Sequence, residues 1–550
     1  MVPTNSAEEY VIGFDIGGTN VRGFLYKVIN DENGKLANFE EVHSIKRALR
    51  VDKGKKLSLG VLRDTEERLI KLAKTKYNVR QINAGFAPPG PMNIKEGWTQ
   101  PSNIKCWGRY PILQDARDRG VNEARMENDV NSQTIWFANL PEYRRFKRIF
   151  LGNPGTGYGG GVTSRLKLDE IVFAQEGVEV GWLNDFGLRY GFRNGDITSE
   201  VSGADEVIDE RPILARSRRK SVKVSKSCED AACSGRGLYR ILFDVLGGAE
   251  SKKVSAAINQ AVVHKGMYIA KYAHQGDKNC IKAMQIQGYH FGHSLFQIDK
   301  LSSIDKFIWY GNTAEKDWEI MQNAVIEGYA SNFINKEGAR AEIREKLDVI
   351  TAEKIANNPQ YKDAGAKGAA LLASQAGLES EKKEQEFRER HRMRDGKIYF
   401  DLSSGEAAFI YGFEGMPHRF VGTDIGSMAY SGCNSEDWEK GKYTYGDFFR
   451  DGVTEPSTRR AMGNALADLM VWYYPHEPKE VVITGVSKGE WAGIKDDIWK
   501  ACCDNHRFAK KGMQFRDISL KHIEGNLSGF YIEGAAIELR NSKNEPLTRT

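Results

Sequence analysis

Two glycine-rich turns in this sequence have the residue types that bind phosphate groups. The first follows Asp15 in the stretch FDIGGTNVRG and consists of Gly17, Gly18, Thr19 and Asn20. The second lies in LGNPGTGYGGG and consists of Gly155, Thr156 and Gly157. Backbone amides in such turns bind phosphate oxygens, and a carboxylate such as Asp15 binds Mg²⁺ directly or through water. Together the turns predict a site for phosphate and metal, although either one alone is typical of an ordinary hairpin.

The stretch ENDVN, residues 127–131, places carboxylates and carboxamides where a strand passes into a helix. Asp129 is the candidate base that accepts the proton of an attacking hydroxyl group, with Asn128 bound to a neighbouring hydroxyl. The structural alternative is that Asn128 or Asp129 only caps a helix beginning at Val130. Amide turns, a metal-facing carboxylate and a base are the parts that phosphoryl transfer requires, so this chemistry is the leading hypothesis.

The elements that must position these residues alternate between strands and helices. Residues 10–28 contain two apolar alternating segments around the first glycine turn, which predicts a hairpin and not a strand followed by a helix. A second strand and glycine turn begin at Arg148. Between them the patterns predict, in order, a helix, a strand and a strand-to-helix passage over residues 62–77, 81–90 and 124–140. This alternation predicts an α/β fold.

Length, charge and cysteine content limit the function classes. The 550 residues exceed what one hydrophobic core serves, so two or more domains are expected. With 79 basic and 74 acidic residues the net charge is +5, which gives no general attraction for nucleic acid. No apolar run approaches the length of about 18 residues that spans a membrane, and no export signal precedes the first strand. Seven cysteines without a CxxC pair favour a cytoplasmic setting.

Two charged segments look like connectors. Residues 210–228 are rich in Arg and Lys, and residues 378–397 alternate charge at helical spacing. Both are interpreted as solvated surface in preference to a nucleic-acid-binding arm. The second segment is also interpreted as a domain boundary.

A repeat on either side of this boundary supports that interpretation. An apolar strand that ends in glycine, at Gly311 and again at Gly485, precedes a helix start with a tryptophan. A Gly-Ala-Ala helix start follows in each case, near Gly368 and near Gly534. The repeat predicts a second copy of one α/β half-unit, against the alternative of a chance match.

Eight short motifs in one order resemble bacterial glucokinases and the wider repressor and sugar-kinase (ROK) family. They are FDIGGTNVRG, APPGPMN, PSNIKCW, ENDVN, LGNPGTGYGGG, EGVEVG, SGRGL and GAKGAALLA, and they lie within residues 10–377. The resemblance implies an actin-like (ribonuclease H-like) α/β kinase fold, whose two lobes close over MgATP and a hexose. It implies an ATP-dependent hexose kinase that acts on the sugar 6-hydroxyl, with glucose as the first expected substrate.

In this interpretation the chain has three parts. Residues 1–145 form the lobe with the first phosphate turn and the catalytic residues, and residues 146–377 form the lobe with the second turn and the adenosine region. Residues 378–550 form an additional C-terminal α/β unit that resembles a partial repeat of the second lobe and has no place in an ordinary glucokinase. Its apolar strands offer an interface, so a homo-oligomer is left open.

The resemblance also implies roles for single residues. Asp129 corresponds to the general base. The implied sugar ligands are Asn103, Asn128, Glu179 and either Asp230 or the adjacent Glu229. The adenosine is expected near Gly311, with Gly485 as the rival position.

Two positions depart from the family pattern. Trp182 stands where the family has the histidine of Glu-x-Gly-His, so the indole either borders the sugar pocket or packs in the core. The zinc-binding cysteine cluster of many ROK members is missing, because Cys228 and Cys233 stand alone, and no structural zinc is expected.

A catalytically weak sugar-binding regulator or scaffold is the alternative function. ROK repressors carry an N-terminal helix-turn-helix, for which a strand beginning at residue 10 leaves no room. The sequence leaves open which hexose is used and whether ATP or another phosphoryl donor serves.

Overall fold

A computed structural model describes the protein in several ranges. They are residues 8–30, 36–154, 158–164, 176–178, 233–390, 393–401, 407–413, 419–423, 478–504 and 519–522 with positions 459, 462, 463, 466 and 470, but without positions 91, 95, 102, 103, 147, 234, 262–264, 303, 332, 334 and 485. Among these residues, no helix combines the length and apolar character needed to cross a membrane.

The first sheet contains the first glycine turn. Its strands lie in the order β3-β2-β1-β4-β7, and a small separate hairpin pairs β5 with β6. The seven strands are β1 (Tyr10–Ile16), β2 (Asn20–Asn30), β3 (Leu36–Ala48), β4 (Asn83–Ala87), β5 (Met92–Asn93), β6 (Trp98–Thr99) and β7 (Ala124–Met126). β1 pairs antiparallel with β2 and parallel with β4. The glycine turn therefore joins a hairpin, as predicted.

The second sheet has the same topology around the second glycine turn. Its strands are β8 (Arg148–Pro154), β9 (Tyr158–Ser164), β10 (Glu176–Val178), β11 (Lys306–Trp309) and β12 (Leu347–Val349). They lie in the order β10-β9-β8-β11-β12, with β8 antiparallel to β9 and parallel to β11. β8 and β9 thus form an antiparallel pair equivalent to that of β1 and β2.

A third sheet follows in the C-terminal part of the chain. Its strands are β13 (Met393–Asp401), β14 (Ala407–Phe413), β15 (Arg419–Thr423), β16 (Pro478–Thr484) and β17 (Ser519–His522). Their order is β15-β14-β13-β16-β17, so β16 takes the place that β11 takes in the second sheet, in agreement with the sequence repeat. Within the described residues, three five-stranded sheets of one topology confirm the predicted class: α/β, with an actin-like pair of sheets and a further α/β unit. The domain boundaries at residues 145 and 377 stay a prediction.

Helices cover and connect the sheets. In the described part of the chain, the α-helices are α1 (Lys55–Lys76), α2 (Ile112–Asp118), α3 (Asp129–Ala138), α4 (Gly235–Arg240), α5 (Lys252–Gln260), α6 (Lys265–His274), α7 (Lys278–Ser302), α8 (Asn312–Lys316), α9 (Trp318–Ala330), α10 (Lys336–Lys346), α11 (Ala352–Asn357), α12 (Ala364–Ala373), α13 (Gln375–Arg390) and α14 (Lys488–Asp504). Shorter helical turns are Val51–Lys53, Lys105–Trp107, Ile241–Val245 and Pro359–Tyr361. In α1, buried Leu62, Leu69 and Ala73 recur at helical spacing and pack in the core of the first sheet. The helix begins at Lys55, before the predicted start at residue 62, and ends one residue before the predicted end at residue 77.

α12 comes late in the chain but packs on the first sheet. A Cβ atom at Gly85 would lie 1.8 Å from the carbonyl oxygen of Ala369, and one at Gly13 would lie 2.1 Å from that of Ala366. Only glycine at these two strand positions permits such a close approach of the helix. The small residues of the GAKGAALLA motif therefore let α12 contact both the first sheet and α3.

The second and third sheets share one apolar core. Phe150 of β8, Leu295 of α7, Phe400 of β13 and Val481 of β16 belong to one continuous cluster of buried residues. Phe14 of β1 lies in a separate cluster. Because apolar burial is the main stabilising contribution to folding, the stability of the third sheet is coupled to that of the second.

Candidate active site

The turn between β1 and β2 presents free backbone amides. The Gly17 amide donates to the carbonyl of Asn20 at 2.9 Å, and the Asn20 side chain donates to the Thr19 hydroxyl at 2.9 Å, which fixes the turn. Within the described part of the chain, the amides of Gly18 and Thr19 donate to no protein acceptor. Such amides at the surface of a turn form an anion-binding concavity.

Asp15 lies beside this turn and is paired with an arginine. Arg22 is directly opposite Asp15 in the pairing of β1 with β2. Its guanidinium donates to Oδ2 of Asp15 and, at 3.1 Å, to Oδ1 of Asp363. Burial raises the pKa of Asp15; the charge of Arg22 opposes this rise and that of Asp363 adds to it. One guanidinium thus holds two buried carboxylates together.

Asp363 lies near the end of β11 in the second sheet. Asp363 has a left-handed backbone, with φ of 53°, immediately before α12. Burial raises the pKa of the Tyr310 hydroxyl, and the backbone amide of the adjacent Ala364 lowers it. Tyr310 follows β11 and precedes Gly311, where φ is 100°. A chain of contacts therefore runs from Asp15 to the turn at Gly311.

Asp129 is the first residue of α3. The Val130 amide donates to the side-chain oxygens of both Asn128 and Asp129 at 3.0 Å, so Asn128 caps the helix. Asn128 therefore caps α3, which begins one residue before the predicted start, and its role in sugar binding stays a prediction. Burial raises the pKa of Asp129 to about 7, and the negative charge of Asp15 adds to this rise. A carboxylate with a pKa near neutrality is suited to act as a general base.

Glu127 is a second carboxyl group whose pKa burial raises to about 7. Its Oε1 accepts hydrogen bonds from the Asn131 side chain at 3.0 Å and from the Asn128 amide at 2.8 Å. These contacts connect the end of β7 to α3 inside the motif. Glu127 therefore has a structural role in the passage from strand to helix. The charge of Asp15 contributes to the raised pKa of Asp129 but not to that of Glu127.

Gln133 joins α3 to the end of β8. Asn153 donates its side-chain amide to Oε1 of Gln133 at 2.8 Å, and a Cβ atom at Gly311 would lie 2.4 Å from Oδ1 of Asn153. On the other side, a Cβ atom at Gly365 would lie 3.5 Å from Cγ of Asp15 and 3.7 Å from Cγ of Gln133. Asp15, α3 and the Gly311 turn thus border one cleft.

The residues of this cleft fit a magnesium-bound nucleotide. The free amides of Gly18 and Thr19 suit phosphate oxygens. Oδ1 of Asp15 accepts no hydrogen bond from a described residue and suits Mg²⁺ or one of its water ligands. Of the predicted residues, the structure brings together Asp15, Gly17, Gly18, Thr19, Asn20, Asn128, Asp129 and Gly311 around the cleft.

The other predicted site residues lie outside the described residues. They are Asn103, Gly155, Thr156, Gly157, Glu179, Trp182, Asp230 and Gly485. Their roles in binding sugar or nucleotide stay predictions.

Four cleft residues were not found from the sequence: Arg22, Gln133, Tyr310 and Asp363. A signal existed for Arg22, because it is a charged residue in a largely apolar strand and the hairpin register places it opposite Asp15. No local pattern connects Arg22 with Asp363, which lies 341 positions away.

The fold and the site together define an α/β protein with a glycine hairpin that presents free amides and with a candidate base nearby. No family model matches the chain. It is 28% identical over 244 residues to the N-acetyl-D-glucosamine kinase of Histophilus somni (strain 129Pt), covering 44% of this chain and 68% of that protein. It is 27% identical over 280 residues to the enzyme of that name from Pasteurella multocida (strain Pm70), covering 50% and 74%. These curated relatives confirm the resemblance to ROK-family sugar kinases.

Solved structures with a similar fold include the ROK hexokinase from Thermus thermophilus. It is 18% identical to this chain, with a TM-score of 0.43, and the match covers 68% of this chain and 100% of that one. The glucokinase from Balamuthia mandrillaris in complex with glucose is 15% identical, with a TM-score of 0.46, and the match covers 68% and 95% of the two chains.

Proposed function

We propose that this protein is an ATP-dependent sugar kinase that transfers the γ-phosphate of ATP to a hydroxyl group of a hexose. The observation that supports this most is the position of Asp129 near Asp15 and the turn of free amides. Burial and the charge of Asp15 raise the pKa of Asp129 to about 7. Phosphoryl transfer needs a base at the acceptor hydroxyl and positive or dipolar groups at the phosphates. The curated relatives, which carry the name of a sugar kinase, support the same class of reaction.

Each group has a defined part in this proposal. Asp129 accepts the proton of the sugar hydroxyl as that oxygen attacks the γ-phosphate. The amides of Gly18 and Thr19 bind phosphate oxygens, and Asp15 binds Mg²⁺ directly or through water. When bound, Mg²⁺ neutralises charge on the phosphates.

For the substrate, we propose D-glucose and N-acetyl-D-glucosamine as the sugars to test first. The motif resemblance implies a glucokinase, whereas both curated relatives named above are N-acetyl-D-glucosamine kinases. These sugars differ at C2 and share the 6-hydroxyl that the proposal makes the acceptor. The acceptor chemistry is therefore the same for both.

The test is a coupled assay of ADP release by the full-length protein. MgATP is offered with D-glucose, N-acetyl-D-glucosamine and N-acetyl-D-mannosamine, and ATP is compared with other phosphoryl donors. We expect sugar-dependent ADP release for at least one gluco-configured sugar. Sugar binding in calorimetry without any ADP release would contradict the proposal and favour the sugar-binding regulator.

A further inference from the structure

The contacts Asp15–Arg22–Asp363, which we call the cleft bridge, connect two parts of the proposed nucleotide site. At one end, Asp15 adjoins the free amides of the first turn. At the other, Asp363 precedes Ala364, and the charge of Asp363 and the backbone amide of Ala364 both act on the Tyr310 hydroxyl next to Gly311. The bridge thus spans from the phosphate turn of the first sheet to the end of β11 in the second.

The bridge also depends on an arginine in particular. Arg22 uses its two terminal nitrogens, Nη1 for Asp363 and Nη2 for Asp15. A planar guanidinium can hold two carboxylates at once in a fixed geometry, whereas a lysine ammonium acts as a point charge. The two carboxylates are almost buried, with side chains 10% and 9% exposed, but Arg22 is 41% exposed.

Asp363 has an uncommon backbone conformation at the bridge. Residues with a Cβ atom seldom adopt positive φ, although Asp tolerates it better than most. The φ of 53° at Asp363 directs its side chain to Arg22 while α12 begins at the next residue. The close packing of α12 on Gly13 and Gly85 fixes the position of this residue relative to the first sheet.

We propose that Arg22 and Asp363 are positioning residues for the nucleotide: they fix the Asp15 carboxylate and keep the phosphate turn at a constant distance from the turn at Gly311. This inference rests on the proposed function. It adds that the affinity for magnesium nucleotide depends on the bridge, while the affinity for sugar does not.

The experiment compares three bridge variants with a matched control in the full-length protein. The variants are Arg22→Gln, Arg22→Lys and Asp363→Asn. The control is Arg125→Gln, because Arg125 of β7 also joins two carboxylates, Glu123 and Glu381, but these are 43% and 53% exposed and lie outside the cleft. Calorimetry with MgADP gives the Kd for nucleotide, and steady-state kinetics give the KM for sugar.

We expect Arg22→Gln to raise the MgADP Kd roughly tenfold or more, the size of a lost hydrogen bond to a charged group. Arg22→Lys should recover part of this loss, since it keeps the charge but cannot hold both carboxylates. Asp363→Asn keeps an acceptor oxygen and should have a smaller effect. The sugar KM of all three, and the MgADP Kd of Arg125→Gln, should stay at the wild-type values.

Three results would overturn the inference. One is a nucleotide Kd within about twofold of wild type in Arg22→Gln together with a lower melting temperature. That result would show that the bridge only stabilises the folded protein. Another is an equal rise in nucleotide Kd and sugar KM. The third is a wild-type protein that binds no MgADP. If the wild type binds MgADP but phosphorylates no sugar, the proposed function fails, while the Kd series still decides on the bridge. Should Arg22→Gln not fold, Arg22→Lys and Asp363→Asn give the same test.

Discussion

Two arginines around the first sheet each join two carboxylates, but their surroundings differ. Arg22 joins Asp15 to Asp363 in the cleft, with 41% of its side chain exposed. Arg119, at the end of α2, joins Glu66 of α1 to Asp115 of α2, with only 13% of its side chain exposed.

The second network is closed by other protein groups. Asp115 also accepts hydrogen bonds from the Tyr110 hydroxyl and from Arg63, and the Glu66 side chain is 0% exposed. One carboxylate oxygen in each network lacks a described hydrogen-bond partner: Oδ1 of Asp15 in the cleft bridge and the buried Oε1 of Glu66 in the second network. Charge pairing alone therefore does not identify a functional site. The exposure of the arginine and the neighbouring free amides of Gly18 and Thr19 distinguish the cleft bridge, which can bind a ligand, from a nearly buried network that serves stability.

The largest expected effect is on stability and comes from the closed network. Arg119→Met would leave Glu66 buried without its partner, which should lower the free energy of unfolding by about 3–5 kcal/mol. Burial already raises the pKa of Glu66 to about 7. In the variant the folded state would bind a proton there more tightly than the unfolded state, so the loss of stability should be smaller at pH 6 than at pH 8. Urea unfolding at both pH values measures this, and equal stability of variant and wild type would contradict the comparison.

The next effect is on catalysis. Asp129→Asn should lower kcat by roughly 10²-fold or more while the protein stays folded, because a general base is lost. Glu66→Gln is the matched control, since Glu66 is also a carboxyl group whose burial raises its pKa to about 7. The control should keep its kcat. Near-normal turnover of Asp129→Asn in the coupled assay would show that Asp129 is not the base.

The pH profile sharpens the assignment. Asp129 must be ionised to accept a proton, and its pKa is raised to about 7. The rate should therefore fall about tenfold for each pH unit below this value and level off above it. Glu127→Gln should keep the same acidic limb, since Glu127 also has a pKa of about 7 but holds the turn before α3. If the limb disappears in Glu127→Gln, the titrating base is Glu127.

The smallest effect separates capping from sugar binding at Asn128. Asn128→Ala should cost about 1 kcal/mol of stability, since it removes the side chain that accepts from the Val130 amide. Asn128→Ser keeps a capping oxygen and should restore the melting temperature. If Asn128 also binds sugar, the serine variant will have a raised sugar KM because the carboxamide is lost; an unchanged KM would limit Asn128 to capping.

The features that depend on neighbouring residues could be predicted from the sequence. The hairpin at Gly17–Thr19 follows from two alternating apolar segments with a glycine turn between them, and the pairing of β1 with β2 confirms it. The passage from β7 to α3 follows from the polar ENDVN stretch between two apolar patterns. The α/β class and the repeat of β11 in β16 have the same local origin. Candidate residues such as Asp15 and Asp129 came from these local patterns.

Only the tertiary structure decided how those elements meet. The contact of Arg22 with Asp363 and the docking of α12 on Gly13 and Gly85 join residues hundreds of positions apart, and no local periodicity encodes such pairs. The pKa of Asp129 is likewise a tertiary property, because it depends on burial and on the charge of Asp15 across the cleft. Strand and helix patterns follow from side chains a few residues apart, whereas ionisation and ligand access follow from everything that surrounds a group in space.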